Sequence, residues 1–235
     1  MPDTPACAGR LILGGAFNPL HIGHLRFAVE ALEALGHLAD GLDLIPTAIP
    51  PHKDAENLLP FDLRAAMAEA AAADMPGLHC NRSEARRQGP SYTWDMLSAA
   101  RAQFPRTDFY FLLGMPDFVL LPTWFRGGEL PRLCHFVVAP RGGMGAESFM
   151  AAVLQLWPAA QEGPPLVPGG LCMALPGGGL AHFLPLPVLE VSASDIRQRW
   201  LAGRSISWLV PTSVARLLEQ SRHIARIRWG GKTRD

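Results

Sequence analysis

The chain has 235 residues, 21 basic against 21 acidic side chains, and is 49% hydrophobic and 18% charged, long enough for one sizeable core and too apolar for a disordered chain. Zero net charge offers no global field to hold a nucleic-acid backbone, which argues against a DNA- or RNA-binding role. Lysine occurs only at Lys53 and Lys232, and Cys7, Cys80, Cys134 and Cys172 lie far apart without a CxxC pair, so neither a zinc cluster nor a disulfide framework is written here.

Apolar runs alternate with helical patterns, the rhythm of an α/β domain on a mostly parallel sheet flanked by helices. Residues 10–14 (RLILG) read as the first strand and 24–38 as the first helix, with apolar positions at Leu25, Ala28, Val29, Leu32 and Leu35 and a stop near Gly36. A second strand follows at 41–46, then helices at 61–74 and 91–103. Residues 108–113 (DFYFLL) form the clearest buried strand, and 135–139 (HFVVA) another. A break at Gly142, Gly143 and Gly145 precedes a short helix at 147–156. The span 163–189 has no charged residue, but its six prolines and six glycines would interrupt a membrane helix repeatedly, so it reads as loop and short strand. A strand at 188–191 and helices at 194–202 and 212–222 complete the chain. The expected organisation is a single domain over 1–235, with a loop-rich insertion at about 142–179 and a C-terminal helical part at about 192–222. The opening MPDTPACAGR has no basic segment leading into an apolar one, so no secretory signal is read and a cytoplasmic location is expected, with no membrane partner.

The first strand runs straight into Gly14-Gly15-Ala16-Phe17-Asn18-Pro19-Leu20-His21-Ile22-Gly23-His24. A glycine-bearing loop at this point of an α/β sheet binds phosphates, yet the string is neither GxGxxG nor GxxxxGK[ST]. Instead it brings two imidazoles to the start of a helix, where free N–H groups and partial positive charge already favour an anion. Near the C-terminus, Val191-Ser192-Ala193-Ser194-Asp195-Ile196-Arg197 reads as a capped helix start, with Ser194 as N-cap and Arg197 one turn in as a fork for phosphate oxygens. Three further segments stand out: PTAIPPHK after the second strand, GPSYTWD at a helix start, and GMPDFVLLPTW after the strongest strand. Each alone also fits a plain reading, as a polyproline turn, a helix cap and a core tryptophan.

GGAFNPLHIGHL resembles the signature of the HxGH nucleotidyltransferase superfamily, and SASDIR resembles its ISxTxIR segment. Together with PPHK, SYT, the tryptophan at Trp124 and SISWLVP, they resemble the bacterial nicotinate-nucleotide adenylyltransferases from Leu11 to about Gln220. The resemblance implies a Rossmann-like nucleotidyltransferase fold and adenylyl transfer from ATP to nicotinate mononucleotide, with Mg²⁺ accompanying ATP. It implies His21 and His24 as catalytic. It places ATP at Gly14, Gly15, Phe17, His21, His24, Gly114, Asp117, Ser192, Ser194, Ile196 and Arg197. It places the mononucleotide at Ala16, Thr47, His52, Lys53, Tyr92, Thr93 and Trp124. No protein-held metal is expected. The chain departs from the family at Pro116, which stands where the family has an aspartate and moves the acid to Asp117, and at Ala193, where a serine is usual. Another acceptor, such as nicotinamide mononucleotide or phosphopantetheine, stays open, as does a silent nucleotide-binding protein on the same fold and a homo-oligomer.

Overall fold

A computed structural model describes residues 9–51, 55–187 and 189–230. Cys7 and Lys232 lie outside the described residues. In chain order the elements are β1 Gly9–Gly15, α1 Ile22–Leu35, β2 Ala39–Pro46, α2 Phe61–Ala72, β3 Leu78–Cys80, α3 Thr93–Gln103, β4 Phe109–Gly114 and α4 Met115–Phe118. They continue as β5 His135–Ala139, α5 Ala146–Leu156, β6 Gln161–Gly163, β7 Leu171–Ala174, β8 Leu180–Phe183, α6 Ala193–Leu201, α7 Thr212–Gln220 and α8 Arg222–Trp229.

The strands form one sheet in the order β3-β2-β1-β4-β5-β8-β7-β6. β1 pairs with β4, β4 with β5 and β5 with β8, all parallel, while β7 pairs antiparallel with β8 and with β6. The strand order reverses after β1, and the loop leaving its carboxyl end is where open α/β sheets bind ligands. β4 is buried from Phe109 to Leu113 on both faces, as a central parallel strand must be, which is why it reads as an unbroken apolar run. Among the described residues no helix is long and apolar enough to cross a membrane.

The chain divides into two compact units, each assembled from separated segments. The first comprises 9–13, 27–43 and 92–187 among the described residues. Its interior is aromatic. Phe118 stacks on Phe149 with centroids 5.4 Å apart and meets Phe136 edge-on at 5.8 Å, Phe149 lies 5.6 Å from Phe183, and the Trp157 Nε1–H donates to the Gly128 carbonyl at 2.9 Å. The second unit comprises 14–26, 44–51, 55–91 and 189–230 among the described residues, and here α2 packs against α7.

Several expected boundaries move for local reasons. α1 begins at Ile22, two residues early, because the His21 carbonyl already accepts from the His24 and Leu25 N–H groups at 3.0 and 3.3 Å. The strand expected at 188–191 is not formed at 189–191, where Leu189 and Glu190 are exposed and the Val191 N–H closes a tight turn on the Leu189 carbonyl. Val188 lies outside the described residues. The last helix breaks at Ser221, with φ −104° and ψ 23°, and a further helix, α8, follows. Within 142–179 lie α5, β6 and β7, so the proline- and glycine-rich composition belongs to turns between short regular elements.

Candidate active site

In the second unit, β1 delivers Gly14 and Gly15 to the loop. A Cβ on Gly15 would stand 2.9 Å from the Phe17 ring, so glycine lets that ring fold back over the backbone. Phe17 itself adopts φ +46° and is buried, a left-handed conformation that costs a bulky residue of order 1–3 kcal/mol and is held by its surroundings.

His21 is buried and its ring stacks on that of His24, with centroids 3.7 Å apart and planes inclined by 28°. The Phe17 ring meets His24 edge-on at 5.1 Å. Gly23 makes the stack possible, since a Cβ there would lie 3.1 Å from both Cε1 and Nδ1 of His21. The His21 backbone N–H donates to His24 Nδ1 at 3.3 Å. An imidazole accepting at Nδ1 carries its hydrogen on Nε2, so His24 presents Nε2–H as a donor. The first N–H of α1, that of Ile22, is satisfied by the Leu209 carbonyl of SISWLVP at 3.0 Å.

The SASDIR segment joins this loop. Arg197 Nη1 donates to the Asn18 carbonyl at 2.9 Å and Nη2 to Ser194 Oγ at 3.0 Å, which brings together two motifs 179 residues apart. Burial lowers the Arg197 pKa, and an arginine remains a cation at neutral pH. The N-cap of α6 is Ser192, not Ser194: Ser192 Oγ accepts from the Asp195 N–H at 3.1 Å, while Ser194 sits in the first turn with its hydroxyl on Arg197. The capping serine therefore has the spacing of three residues to the N–H it satisfies, and sequence reading shifted it by two. Ile196 is fully buried and holds α6 down.

Two residues to which the sequence assigns no role of their own organise the loop. Asn18 Nδ2 donates to the Asn57 carbonyl at 2.8 Å, and its Oδ1 accepts from the Leu59 N–H and the Trp229 Nε1–H, both at 3.2 Å. Arg64 of α2 is fully buried and hydrogen-bonds the carbonyls of Ala16, Thr47, Ala48 and Leu59. Thr47 is tied to the first motif through its N–H to the Gly15 carbonyl at 2.9 Å. The only sequence signal for Arg64 is a basic residue inside an alanine-rich helix. His52 and Lys53 lie outside the described residues.

In the first unit, Tyr92 is the N-cap of α3 and makes no side-chain cap bond, with Asp95 in the first turn of the helix. Ser91, expected as the first helical residue, instead accepts the Ala48 and Ile49 N–H groups at 3.1 Å each within the second unit. The Tyr92 ring packs on Phe125 at 4.7 Å, and Trp124 stands edge-on to Phe111 at 6.4 Å. The turn that presents Trp124 requires Gly127, where a Cβ would fall 1.9 Å from the Leu121 carbonyl oxygen. Gly114 caps α4, Pro116 fits in that helix's first turn, and Asp117 is exposed. Among the described residues no group of three His, Cys, Asp or Glu is placed to hold a metal ion.

Residues 12–199 match the family model described as cytidylyltransferase-like. A protein of Pseudomonas syringae pv. tomato named probable nicotinate-nucleotide adenylyltransferase is 41% identical over 204 residues, covering 86% of this chain and 87% of that one. One of the same name from Pelobacter propionicus is 34% identical over 212 residues, covering 90% and 95%. A solved structure described as Plasmodium falciparum nicotinic acid mononucleotide adenylyltransferase complexed with NaAD superposes with a TM-score of 0.68 at 16% identity, covering 92% of this chain and 97% of that chain. At that identity the likeness concerns the fold.

Proposed function

The chain belongs to the nicotinate-nucleotide adenylyltransferase family of cytidylyltransferase-like proteins, and from that premise we propose how its residues divide the work. The enzyme transfers the adenylyl group of ATP to nicotinate mononucleotide, giving nicotinate adenine dinucleotide and pyrophosphate. The observation that carries the reading is the stacked His21–His24 pair on a loop tied by Arg197 to the SASDIR helix.

The 5′-phosphate oxygen of nicotinate mononucleotide attacks the α-phosphorus of ATP in line, the bond from the α-phosphorus to the α,β-bridging oxygen breaks, and pyrophosphate leaves with the electron pair on that oxygen. No covalent enzyme intermediate is needed, so catalysis is placement and charge stabilisation. His24 Nε2–H and His21 stabilise the crowded α-phosphoryl oxygens, and Gly14 and Gly15 let the backbone approach. Arg197 uses two of its five N–H groups on Asn18 and Ser194, which orients the remaining three for triphosphate oxygens, with Ser192 and Ser194 beside them. Mg²⁺ enters as part of the ATP substrate and offsets β,γ charge.

For the acceptor, Trp124 offers a ring face to the pyridine, and the start of α3 at Tyr92–Thr93 offers N–H donors to its carboxylate. An amide would set its own NH₂ donor against those donors. A kcat/KM preference for nicotinate over nicotinamide mononucleotide of about 100-fold or more is therefore expected. Incubating purified protein with ATP, Mg²⁺ and each mononucleotide while following pyrophosphate tests both levels. Comparable rates with acid and amide would overturn the acid-specific reading and leave adenylyl transfer standing.

A further inference from the structure

Arg64 is a buried cation whose hydrogen-bond partners among the described residues are all backbone carbonyls. Its Nε donates to Leu59 at 2.8 Å, Nη1 to Ala16 and Thr47 at 2.7 Å each, and Nη2 to Ala48 at 3.2 Å. Burial lowers its pKa to about 10, which leaves it protonated at neutral pH. Four carbonyl dipoles and the Phe61 ring, 5.7 Å from the guanidinium carbon, solvate the charge, but among the described residues no carboxylate pairs with it, and a buried charge without a counter-ion is costly.

The carbonyls belong to peptides whose other edges are also placed. In a trans peptide the N–H points away from the C=O. The Thr47–Ala48 and Ala48–Ile49 peptides point their oxygens at Arg64 and their N–H groups at Ser91 Oγ, 3.1 Å from each, so this loop is clamped along both edges. The Ala16–Phe17 peptide points its oxygen at the same Nη1, which turns the Phe17 N–H away from the guanidinium. A positive charge thus stands behind the Ala16–Phe17 and Thr47–Ala48 segments without reaching the surface.

We propose that Arg64 is a positioning residue for the acceptor phosphate: it fixes the peptides at Ala16–Phe17 and Thr47–Ile49 and supplies the buried positive field that a mononucleotide phosphate dianion completes. The inference rests on the adenylyltransferase reading above. Lysine does not replace it, because an ammonium has three rotating donors where these carbonyls need four fixed ones.

The test compares equilibrium binding, by calorimetry or dialysis, of nicotinate mononucleotide and its dephosphorylated riboside to the full chain. The wild type is expected to favour the mononucleotide by about 100-fold, and Arg64→Lys to cut that ratio about tenfold or more while riboside affinity stays within about twofold. A purely structural role would weaken both ligands alike, so an unchanged ratio overturns the proposal, as does a wild type without the preference. If Arg64→Lys fails to fold, Ser91→Ala, which releases the N–H edges of the same two peptides, is expected to cut the ratio about threefold; no change there overturns it equally. Pyrophosphate release separates the two claims. A wild type that shows the phosphate preference but no turnover faults the transferase reading, whereas normal turnover with an unaltered ratio in the variants faults this inference alone.

Discussion

In the unit formed by 9–13, 27–43 and 92–187, stability comes from rings packed on rings: Phe118, Phe136, Phe149, Trp157 and Phe183 form one contiguous aromatic interior. In the unit formed by 14–26, 44–51, 55–91 and 189–230 are found Asn18, His21, Arg64 and Glu84, four of the five buried polar or charged side chains among the described residues. Apolar packing is strong and tolerant of small displacements in direction, whereas buried hydrogen bonds specify geometry at a cost in desolvation. The histidine pair and Arg197 sit where geometry is specified. Damage to the aromatic interior should accordingly be read in stability, and damage to the polar network in catalysis.

The largest expected effect breaks the first side of that contrast. Phe149 has no exposed area and contacts Phe118 and Phe183, so Phe149→Ala should lose about 3–5 kcal/mol of unfolding free energy, measured by urea denaturation. KM values in the surviving folded fraction should be unchanged. A shifted KM with normal stability would mean that the aromatic interior tunes the chemistry directly. On the other side, His24→Ala should lower kcat about 100- to 1,000-fold, about 2.7–4 kcal/mol of transition-state stabilisation, with little change in Tm. Near-normal kcat would remove His24 from the mechanism.

Among the described residues His182 is the buried polar side chain of the aromatic unit and its Nδ1 has no hydrogen-bond partner, and burial with the neighbouring His135 lowers its pKa from 6.5 to about 4. The unfolded chain therefore takes up a proton near pH 6.5 that the folded chain refuses until about pH 4. Stability is full above pH 6.5 and falls as the pH drops through this window. At about 1.4 kcal/mol per pH unit, roughly 2 kcal/mol should be lost between pH 6.5 and 5. Melts of wild type and His182→Phe across this range check it. An equal acid sensitivity in the variant would assign the loss to other groups.

Sequence reading served these regions unequally. β4 and β5 were legible because buried parallel strands are unbroken apolar runs, and the HxGH and SASDIR segments because their residue types are unusual together. β3 has three residues and β6 likewise, too short to carry a period. The roles of Arg64, Asn18 and Ser91 are not legible for a different reason. Their importance lies in partners up to 48 residues away for Arg64, 39 to 211 for the Asn18 side chain and 42 to 43 for Ser91, and no local pattern encodes such pairing. The shift of the N-cap from Ser194 to Ser192 is a local ambiguity between two serines, resolved by which one reaches the Asp195 N–H.

The smallest expected effect concerns Asp117, which lies in the aromatic unit and which only the family resemblance implies for ATP. Pro116 can occupy its position in the first turn of α4 because no backbone N–H is required there, but its side chain offers nothing to a nucleotide. Asp117 is exposed, so any hydrogen bond it accepts from a ribose hydroxyl competes with water and is worth about 0.5–1.5 kcal/mol. Asp117→Ala should therefore raise KM for ATP about three- to tenfold, with kcat, Tm and KM for the mononucleotide unchanged. Asp117→Asn keeps an acceptor oxygen and should fall between the two. If KM for ATP is the same in all three proteins, the enzyme binds ATP without a carboxylate after β4, and ATP recognition rests wholly on the polar network of the other unit.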